Sequence, residues 1–167
     1  EMLRQVLAWF RGTGSRGAGQ ALMAVAAQRA EPIPVYAEMS ATNPVLLCPA
    51  RLAEAAEAIA AGFVGSLTLG TGQFCTNPGL VVAIAGPACD RFATAAAQAI
   101  AVWAPGVMLT PGIGAAYAAA TARFADQAGV ELLGQSGGHD LRATARLFAA
   151  SAETFMAQPE LHKEMFG

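Results

Sequence analysis

Gly72-Gln73-Phe74-Cys75-Thr76-Asn77-Pro78-Gly79 places one cysteine in a glycine-bounded loop, after an alanine-rich stretch that predicts a helix and before an apolar stretch that predicts a strand. A thiol on a loop between two rigid elements is accessible to substrate, and neighbouring backbone N–H groups can stabilise an oxyanion formed beside it. Cys48 differs, because it ends the apolar run Val45-Leu46-Leu47-Cys48, which is typical of a buried structural cysteine. The pattern therefore favours Cys75 as a nucleophile, although one cysteine alone does not establish catalysis.

The composition excludes several classes of protein. The chain has 167 residues, which is enough for one domain with a hydrophobic core, and only 13% of them are charged. A net charge of -2 without basic clusters argues against nucleic acid as a partner. No uninterrupted apolar run reaches the roughly 18 residues expected of a membrane helix, and the first residues do not have the pattern of a signal peptide.

The cysteines and histidines predict no metal site. The three cysteines are an odd number without C-x-x-C spacing, and the two histidines, His139 and His162, are far apart in the sequence. Neither a disulfide framework nor a zinc site is indicated. A reducing cytoplasm is the expected compartment, since it would also keep a nucleophilic thiol active.

Glycines 12, 14 and 17 fit the pattern G-x-G-x-x-G. They follow a predicted strand over Val6–Phe10 and precede a predicted helix over Ser15–Arg29, the order needed for phosphate binding at a helix N-terminus. A dinucleotide fingerprint of this kind would assign the ribose to Glu31, which instead precedes a proline in a turn. A helix that merely begins on flexible glycines is the alternative.

Glu38 lies near the end of a predicted strand over Ile33–Met39, where catalytic side chains of α/β folds tend to collect. Its neighbours Tyr36 and Met39 predict a partly apolar setting, which suits a general base. An ordinary solvated carboxylate is the alternative.

The rest of the chain alternates between strands and helices. Phe92, Ala96, Ile100 and Trp103 are spaced as the core stripe of a helix, and His139 is predicted to lie exposed in a turn, unpaired with Cys75. The other predicted elements are a strand from Pro44 to Cys48, a helix over Pro49–Val64, a buried strand over Leu80–Ala85, helices beginning at Pro87 and Pro111, strands over Val130–Gly134 and Arg142–Ala150, and a short last helix from Pro159 that presents Glu164 and Phe166. The alanines of Arg142–Ala150 would also permit a helix there.

Four ordered stretches resemble motifs of the aldehyde dehydrogenase superfamily. They are the Gly14-Ser15 turn, the glutamate motif Glu38-Met39-Ser40-Ala41-Thr42-Asn43-Pro44, the cysteine segment Gly72-Gln73-Phe74-Cys75, and Glu164-Met165-Phe166-Gly167. The residues of the glutamate motif and the cysteine segment are most similar to those of the branch containing α-ketoglutaric semialdehyde dehydrogenases and NADP-dependent fatty aldehyde dehydrogenases. Ser40 and Ala41 replace glycines that are common in relatives.

The resemblance implies an α/β fold with a largely parallel sheet flanked by helices. Residues 1–38 would be the end of a cofactor-binding domain and residues 39–167 a truncated catalytic domain. Because family members are several hundred residues long, a fragment is expected, without the upstream asparagine of the family's oxyanion hole. A homo-oligomer is expected for the full-length protein, and the state of the fragment is left open.

The resemblance also implies the chemistry. Cys75 would attack an aldehyde, and Glu38 would activate water to hydrolyse the resulting thioester. Gly14 and Ser15 would contact the cofactor's pyrophosphate, Glu164 its ribose and Phe166 its nicotinamide region. Phe74 would line the aldehyde tunnel, with a simple packing role as the alternative. The expected cofactor is NADP or NAD, with NADP favoured, and the expected substrate is an oxo-acid semialdehyde. A non-redox acyl transferase with the same cysteine and an inactive structural fragment are the alternatives.

Overall fold

The computed structural model describes residues 10–138 and 142–167. The chain forms two compact units, of which the first ends at Ala41 and the second runs from Thr42 to Gly167. Most of the strand predicted over Val6–Phe10 and the predicted turn at His139 lie outside the described residues.

The first unit pairs two short parallel strands. Strand β1 (Phe10–Thr13) is followed by helix α1 (Arg16–Ala27) and strand β2 (Val35–Glu38), and Thr13 lies opposite Glu38 in the ladder. The predicted end of the first strand at Phe10 is wrong, since β1 continues through Thr13. The backbone hydrogen bonds of β1 with β2 outweigh the weak strand propensity of Gly12 within β1.

Close packing joins α1 to β2. A side chain at Gly19 would come within 2.6 Å of the Met39 side chain and 3.4 Å of the Ala37 side chain. A Cβ at residue 19 would therefore require the Met39 side chain to move, whereas the distance to Ala37 is that of an ordinary van der Waals contact.

The second unit has four strands and four helices among its described residues. They are β3 (Pro44–Leu47), α2 (Pro49–Leu67), β4 (Leu80–Ala83), α3 (Pro87–Ala101), α4 (Pro111–Ala125), β5 (Val130–Gln135), β6 (Arg146–Ala150) and α5 (Ala152–Ala157), with single 3-10 turns at Leu69–Gly72 and Pro159–His162. None of the helices within residues 10–138 and 142–167 has both the length and the apolar character needed to cross a membrane.

Parallel strand pairing is confirmed in two of the three ladders. β3 pairs with β4 in parallel, as β1 does with β2, whereas β5 and β6 are antiparallel with an irregularity between Leu132 and Gly134. Each ladder has two strands among the described residues. The architecture is α/β, as predicted.

The main core lies between α2 and α3. Leu52, Ala56, Ala60 and Val64 from α2 are buried together with Phe92, Ala96 and Ile100 from α3, and Leu47 of β3 joins them. The three alanines have no exposed surface, so the two helices approach closely. The predicted α3 stripe is confirmed for its three helical members, and Trp103 lies just beyond the end of the helix.

Several local predictions are wrong. Strand β4 ends at Ala83 and is not buried, because Val82 is 47% exposed and Ile84 is 72% exposed. Cys48 is exposed as the N-cap residue of α2, since the helix begins directly after it and leaves its side chain outside the core.

The end of the chain also differs from the prediction. Helix α5 was not predicted; Ser151 begins it by accepting a hydrogen bond from the backbone N–H of Thr154. The turn that starts at Pro159 ends at His162, so Glu164 and Phe166 follow it and do not lie on a helix.

Candidate active site

Cys75 lies in an exposed loop between α2 and β4, as predicted. The loop contains a tight turn, which the backbone N–H of Asn77 closes by donating to the Phe74 carbonyl oxygen over 3.0 Å. Pro78 is buried directly after the turn and β4 begins at Leu80. The sulfur is therefore accessible while the chain on its C-terminal side is fixed.

The approach to Cys75 has an unusual backbone. Gly70, Thr71 and Gly72 have φ values of 57°, 59° and 72°, so three consecutive residues are in the left-handed region. Thr71 is the one non-glycine residue with positive φ among the described residues, and it packs against Gly106. Strained backbone of this kind persists only where its surroundings hold it in place.

Side chains anchor the loop on both sides. Asn43 Nδ2 donates to the carbonyl oxygens of Cys75 and Asn77, over 2.8 and 2.9 Å. Asn77 Nδ2 donates to the Leu67 carbonyl oxygen at the end of α2, over 2.7 Å. Gln73 donates to Gly70 and accepts from the backbone N–H of Leu109 over 2.9 Å. The polar side chains of the cysteine segment thus hold its backbone.

The structure brings the last motif against the cysteine loop. A Cβ atom on the buried Gly72 would lie 2.6 Å from the carbonyl carbon of Gly167. Gly167 in turn packs on Met108 and on Tyr117, whose hydroxyl donates to the Thr144 carbonyl oxygen over 2.7 Å. Burial raises the pKa of Tyr117, and Arg146 opposes the rise. Two of the four motifs therefore meet within the second unit.

Glu164 is half-buried and lines a small surface hollow together with Arg123, Glu160 and Lys163. A hydrogen bond from Lys163 is the main cause that lowers the pKa of Glu160. Phe166 is 39% exposed and Phe74 is 48% exposed. Both aromatic side chains can therefore be reached by a ligand.

In the first unit, Glu38 and the Gly14-Ser15 turn lie together. Glu38 is the last residue of β2, and its carbonyl oxygen accepts a hydrogen bond from the backbone N–H of Gly14 over 3.0 Å. The Glu38 side chain is exposed, so the predicted partly apolar setting is wrong. Tyr36 lies on the same strand face and is itself 62% exposed, which leaves the carboxylate without apolar cover from this neighbour.

The start of α1 has the properties that a dinucleotide phosphate requires. Ser15 is the N-cap residue, and its hydroxyl accepts a hydrogen bond from the Ala18 N–H over 3.3 Å. The same hydroxyl can still donate its own hydrogen to a ligand. Residues 14–17 are all exposed, and Arg16 adds a positive charge to that of the helix dipole. The residues present thus fit a pyrophosphate, with Gly19 providing the close helix-to-strand packing.

The sequence reasoning missed the two asparagines that hold the cysteine loop. Asn43 and Asn77 were recognised only as parts of the motifs around Glu38 and Cys75. Each precedes a proline, a common turn signal, but nothing in the sequence indicates which carbonyl oxygens they bind. Within the described residues, no group of three or more His, Cys, Asp or Glu side chains could hold a metal ion.

Comparison with known proteins finds a consistent similarity to one group of enzymes. The chain is 53% identical over 157 residues to α-ketoglutaric semialdehyde dehydrogenase 2 of Azospirillum brasilense, covering 93% of this chain and 30% of that protein. Nearly all of this chain is therefore similar to part of an aldehyde dehydrogenase. The α-ketoglutaric semialdehyde dehydrogenase of Acinetobacter baylyi is 35% identical over 158 residues, again covering 93% of this chain and 30% of the relative. The resemblance predicted from the four motifs is confirmed, and the chain spans about 30% of the length of these relatives.

Solved structures show the same fold. Proline utilization A of Bradyrhizobium japonicum superposes with a TM-score of 0.78 at 19% identity, covering 98% of this chain and 17% of that protein. An NAD-dependent benzaldehyde dehydrogenase from Corynebacterium glutamicum gives a TM-score of 0.74 at 17% identity, covering 96% of this chain and 35% of that one. No family model matches the chain.

Proposed function

We propose that the whole protein oxidises an oxo-acid semialdehyde, such as 2,5-dioxopentanoate, to the carboxylic acid with NAD(P)⁺. The observation that carries this proposal is the 53% identity to an α-ketoglutaric semialdehyde dehydrogenase over 93% of the chain. The exposed thiol of Cys75 on an anchored loop supports it independently.

Cys75 is the proposed nucleophile. Its thiolate attacks the aldehyde carbon, a C–S bond forms, and the carbonyl electron pair moves to oxygen to give a thiohemiacetal. The Cys75 backbone N–H is the proposed donor to that oxygen. Phe74 precedes the nucleophile and is half exposed, which supports a role in lining the substrate's path.

A bound nicotinamide dinucleotide would supply the hydride acceptor that converts the thiohemiacetal to a thioester. The residues proposed to hold it are Gly14 and Ser15 for the pyrophosphate, Glu164 for the ribose and Phe166 for the nicotinamide region. The exposed start of α1 and the half-buried carboxylate of Glu164 support these assignments. NADP is the preferred form in this proposal, because the sequence resembles the branch that contains NADP-dependent members.

Glu38 is the proposed general base that takes a proton from water as the water attacks the thioester. The water oxygen bonds to the acyl carbon, the C–S bond breaks, and the thiol is regenerated. The exposed carboxylate at the end of β2 can be reached by water, which is consistent with this role.

The proposed domain assignment is a cofactor-binding domain ending near residue 38, followed by the thiol domain. A reducing compartment such as the cytoplasm would keep Cys75 as a free thiol. A homo-oligomer is the proposed state of the whole protein.

The experiment is an aldehyde-dependent assay of NADPH or NADH formation by the whole protein, with 2,5-dioxopentanoate as substrate. Cys75→Ser should abolish turnover, whereas Cys48→Ser, which removes a second exposed thiol, should leave the rate unchanged. Full activity of Cys75→Ser would disprove the proposed mechanism.

The same assay separates the alternatives. Release of a Cys75-bound acyl group to an acceptor without NAD(P)H formation would indicate an acyl transferase. If the wild-type protein neither binds NAD(P) in calorimetry nor turns over any semialdehyde, the chain would be an inactive structural module.

A further inference from the structure

Asn43 has no role in the chemistry described so far, although it lies five residues after Glu38 in the glutamate motif. Its amide nitrogen donates to the carbonyl oxygen of Cys75 and to that of Asn77. We propose that Asn43 is a positioning residue, which fixes the Cys75 backbone so that the thiol and the Cys75 N–H face the same carbonyl group of a substrate. The inference rests on the proposed nucleophilic role of Cys75.

Two hydrogen bonds fix the peptide groups on either side of the Cys75 Cα atom. The peptide before it contains the Phe74 carbonyl, which accepts from the Asn77 N–H over 3.0 Å, and the Cys75 N–H points the opposite way in that trans peptide. The peptide after it contains the Cys75 carbonyl, which accepts from Asn43 over 2.8 Å. With both peptide planes held, the directions of the Cys75 N–H and of the Cα–Cβ bond are set.

Asn43 is itself well held. It is half-buried and directly precedes β3, whose first residue, Pro44, lies opposite Leu80 at the start of β4. Its amide has two hydrogens, so one nitrogen can serve both carbonyl oxygens. An aspartate of the same shape has no N–H and would place a negative charge against the two carbonyl oxygens instead.

Two reactions of the Cys75 sulfur can distinguish loss of its correct position from loss of its exposure to solvent. Alkylation by iodoacetamide needs only an accessible thiolate. Acylation by p-nitrophenyl acetate also needs a donor for the oxyanion, because the thiolate attacks the ester carbonyl, the C–S bond forms, and the C–O bond breaks to release p-nitrophenolate. A misplaced loop should therefore slow acylation much more than alkylation.

The experiment measures both rates at Cys75 by peptide mass spectrometry in the whole wild-type protein and in Asn43→Ala and Asn43→Asp. Acylation is expected to fall roughly 10- to 100-fold in both variants, as is typical when a supporting group is lost and the reacting groups shift. Alkylation should change by less than about threefold, since exposure is retained. Gln127→Ala is the matched control, because Gln127 also donates to a backbone carbonyl, that of Arg123 over 2.9 Å, far from Cys75 in the sequence.

Unchanged acylation in both Asn43 variants, with selective acylation of wild-type Cys75, would overturn the inference and leave the proposed function standing. Absence of selective acylation at Cys75 in the wild-type protein would instead count against the proposed function itself. Asn43→Asp preserves side-chain size and serves if Asn43→Ala fails to fold. Loss of the folded state in both variants, measured by circular dichroism, would also overturn the inference, because Asn43 would then hold the whole unit and not the loop alone.

Discussion

Gly72→Ala tests the backbone path that leads to Cys75. Gly72 has φ of 72°, a conformation that costs an alanine about 1–2 kcal/mol. The new methyl group would lie 2.6 Å from the carbonyl carbon of Gly167 and 2.8 Å from its oxygen, and overpacking of this kind costs about 1–3 kcal/mol. The two effects together lower the free energy of unfolding by about 2–5 kcal/mol.

The assay is urea unfolding followed by far-UV circular dichroism. Gly65→Ala is the control, since Gly65 lies in α2 with no atom within 4 Å of the position its Cβ would take. That substitution should stabilise the protein by roughly 0.5–1 kcal/mol, because alanine favours a helix interior. If Gly72→Ala changes the free energy of unfolding by less than about 0.5 kcal/mol, the left-handed backbone and the contact with Gly167 are both wrong.

Three further predictions test other parts of the second unit. Thr110→Ala removes the N-cap hydrogen bond from the Ile113 N–H and should lower the melting temperature, because the free energy of unfolding falls by about 1 kcal/mol. Thr110→Ser should retain stability, and equal melting temperatures of the two variants would contradict the cap. Phe92→Ala should cost about 3–5 kcal/mol in chemical denaturation because Phe92 is 5% exposed, and a loss under about 1 kcal/mol would show that its site is not buried. Burial and the adjacent aspartate raise the pKa of Cys89. At a pH below that pKa, iodoacetamide should therefore alkylate Cys89 more slowly than the exposed Cys48, and equal alkylation rates would refute this order.

The starts of α2, α3 and α4 were readable from the sequence because their signals are local. Pro49, Pro87 and Pro111 each occupy the first turn of a helix, and the Phe92, Ala96 and Ile100 spacing marks a buried stripe. The order of most strands and helices followed from such signals, whereas the α/β class with a largely parallel sheet followed from the resemblance to aldehyde dehydrogenases.

Burial was less predictable, because it depends on what covers each face. The apolar run of β4 suggested a strand buried on both sides, yet among the described residues β4 pairs only with β3 and leaves Val82 and Ile84 exposed. The run before Cys48 suggested burial, but α2 starts immediately after it. An apolar sequence cannot by itself show which of its faces is covered.

Candidate site residues were found by motif, while their supports were not. Cys75 stands out through its glycine-bounded loop and Glu38 through its place at a strand end. Asn43 binds a carbonyl 32 residues away in the sequence, and Gly72 contacts Gly167 across an even longer separation. Contacts of this kind are set by the folded chain, and no local pattern encodes them.

A thioester trapped on the enzyme would test the central claim most directly. Glu38→Gln removes the proposed base, so the whole protein given 2,5-dioxopentanoate and NADP⁺ should form the thioester faster than it hydrolyses it. Acid quenching followed by peptide mass spectrometry should then find the acyl group on Cys75. An acyl group on Cys48 instead, or continued NADPH formation by Cys75→Ser, would contradict the account.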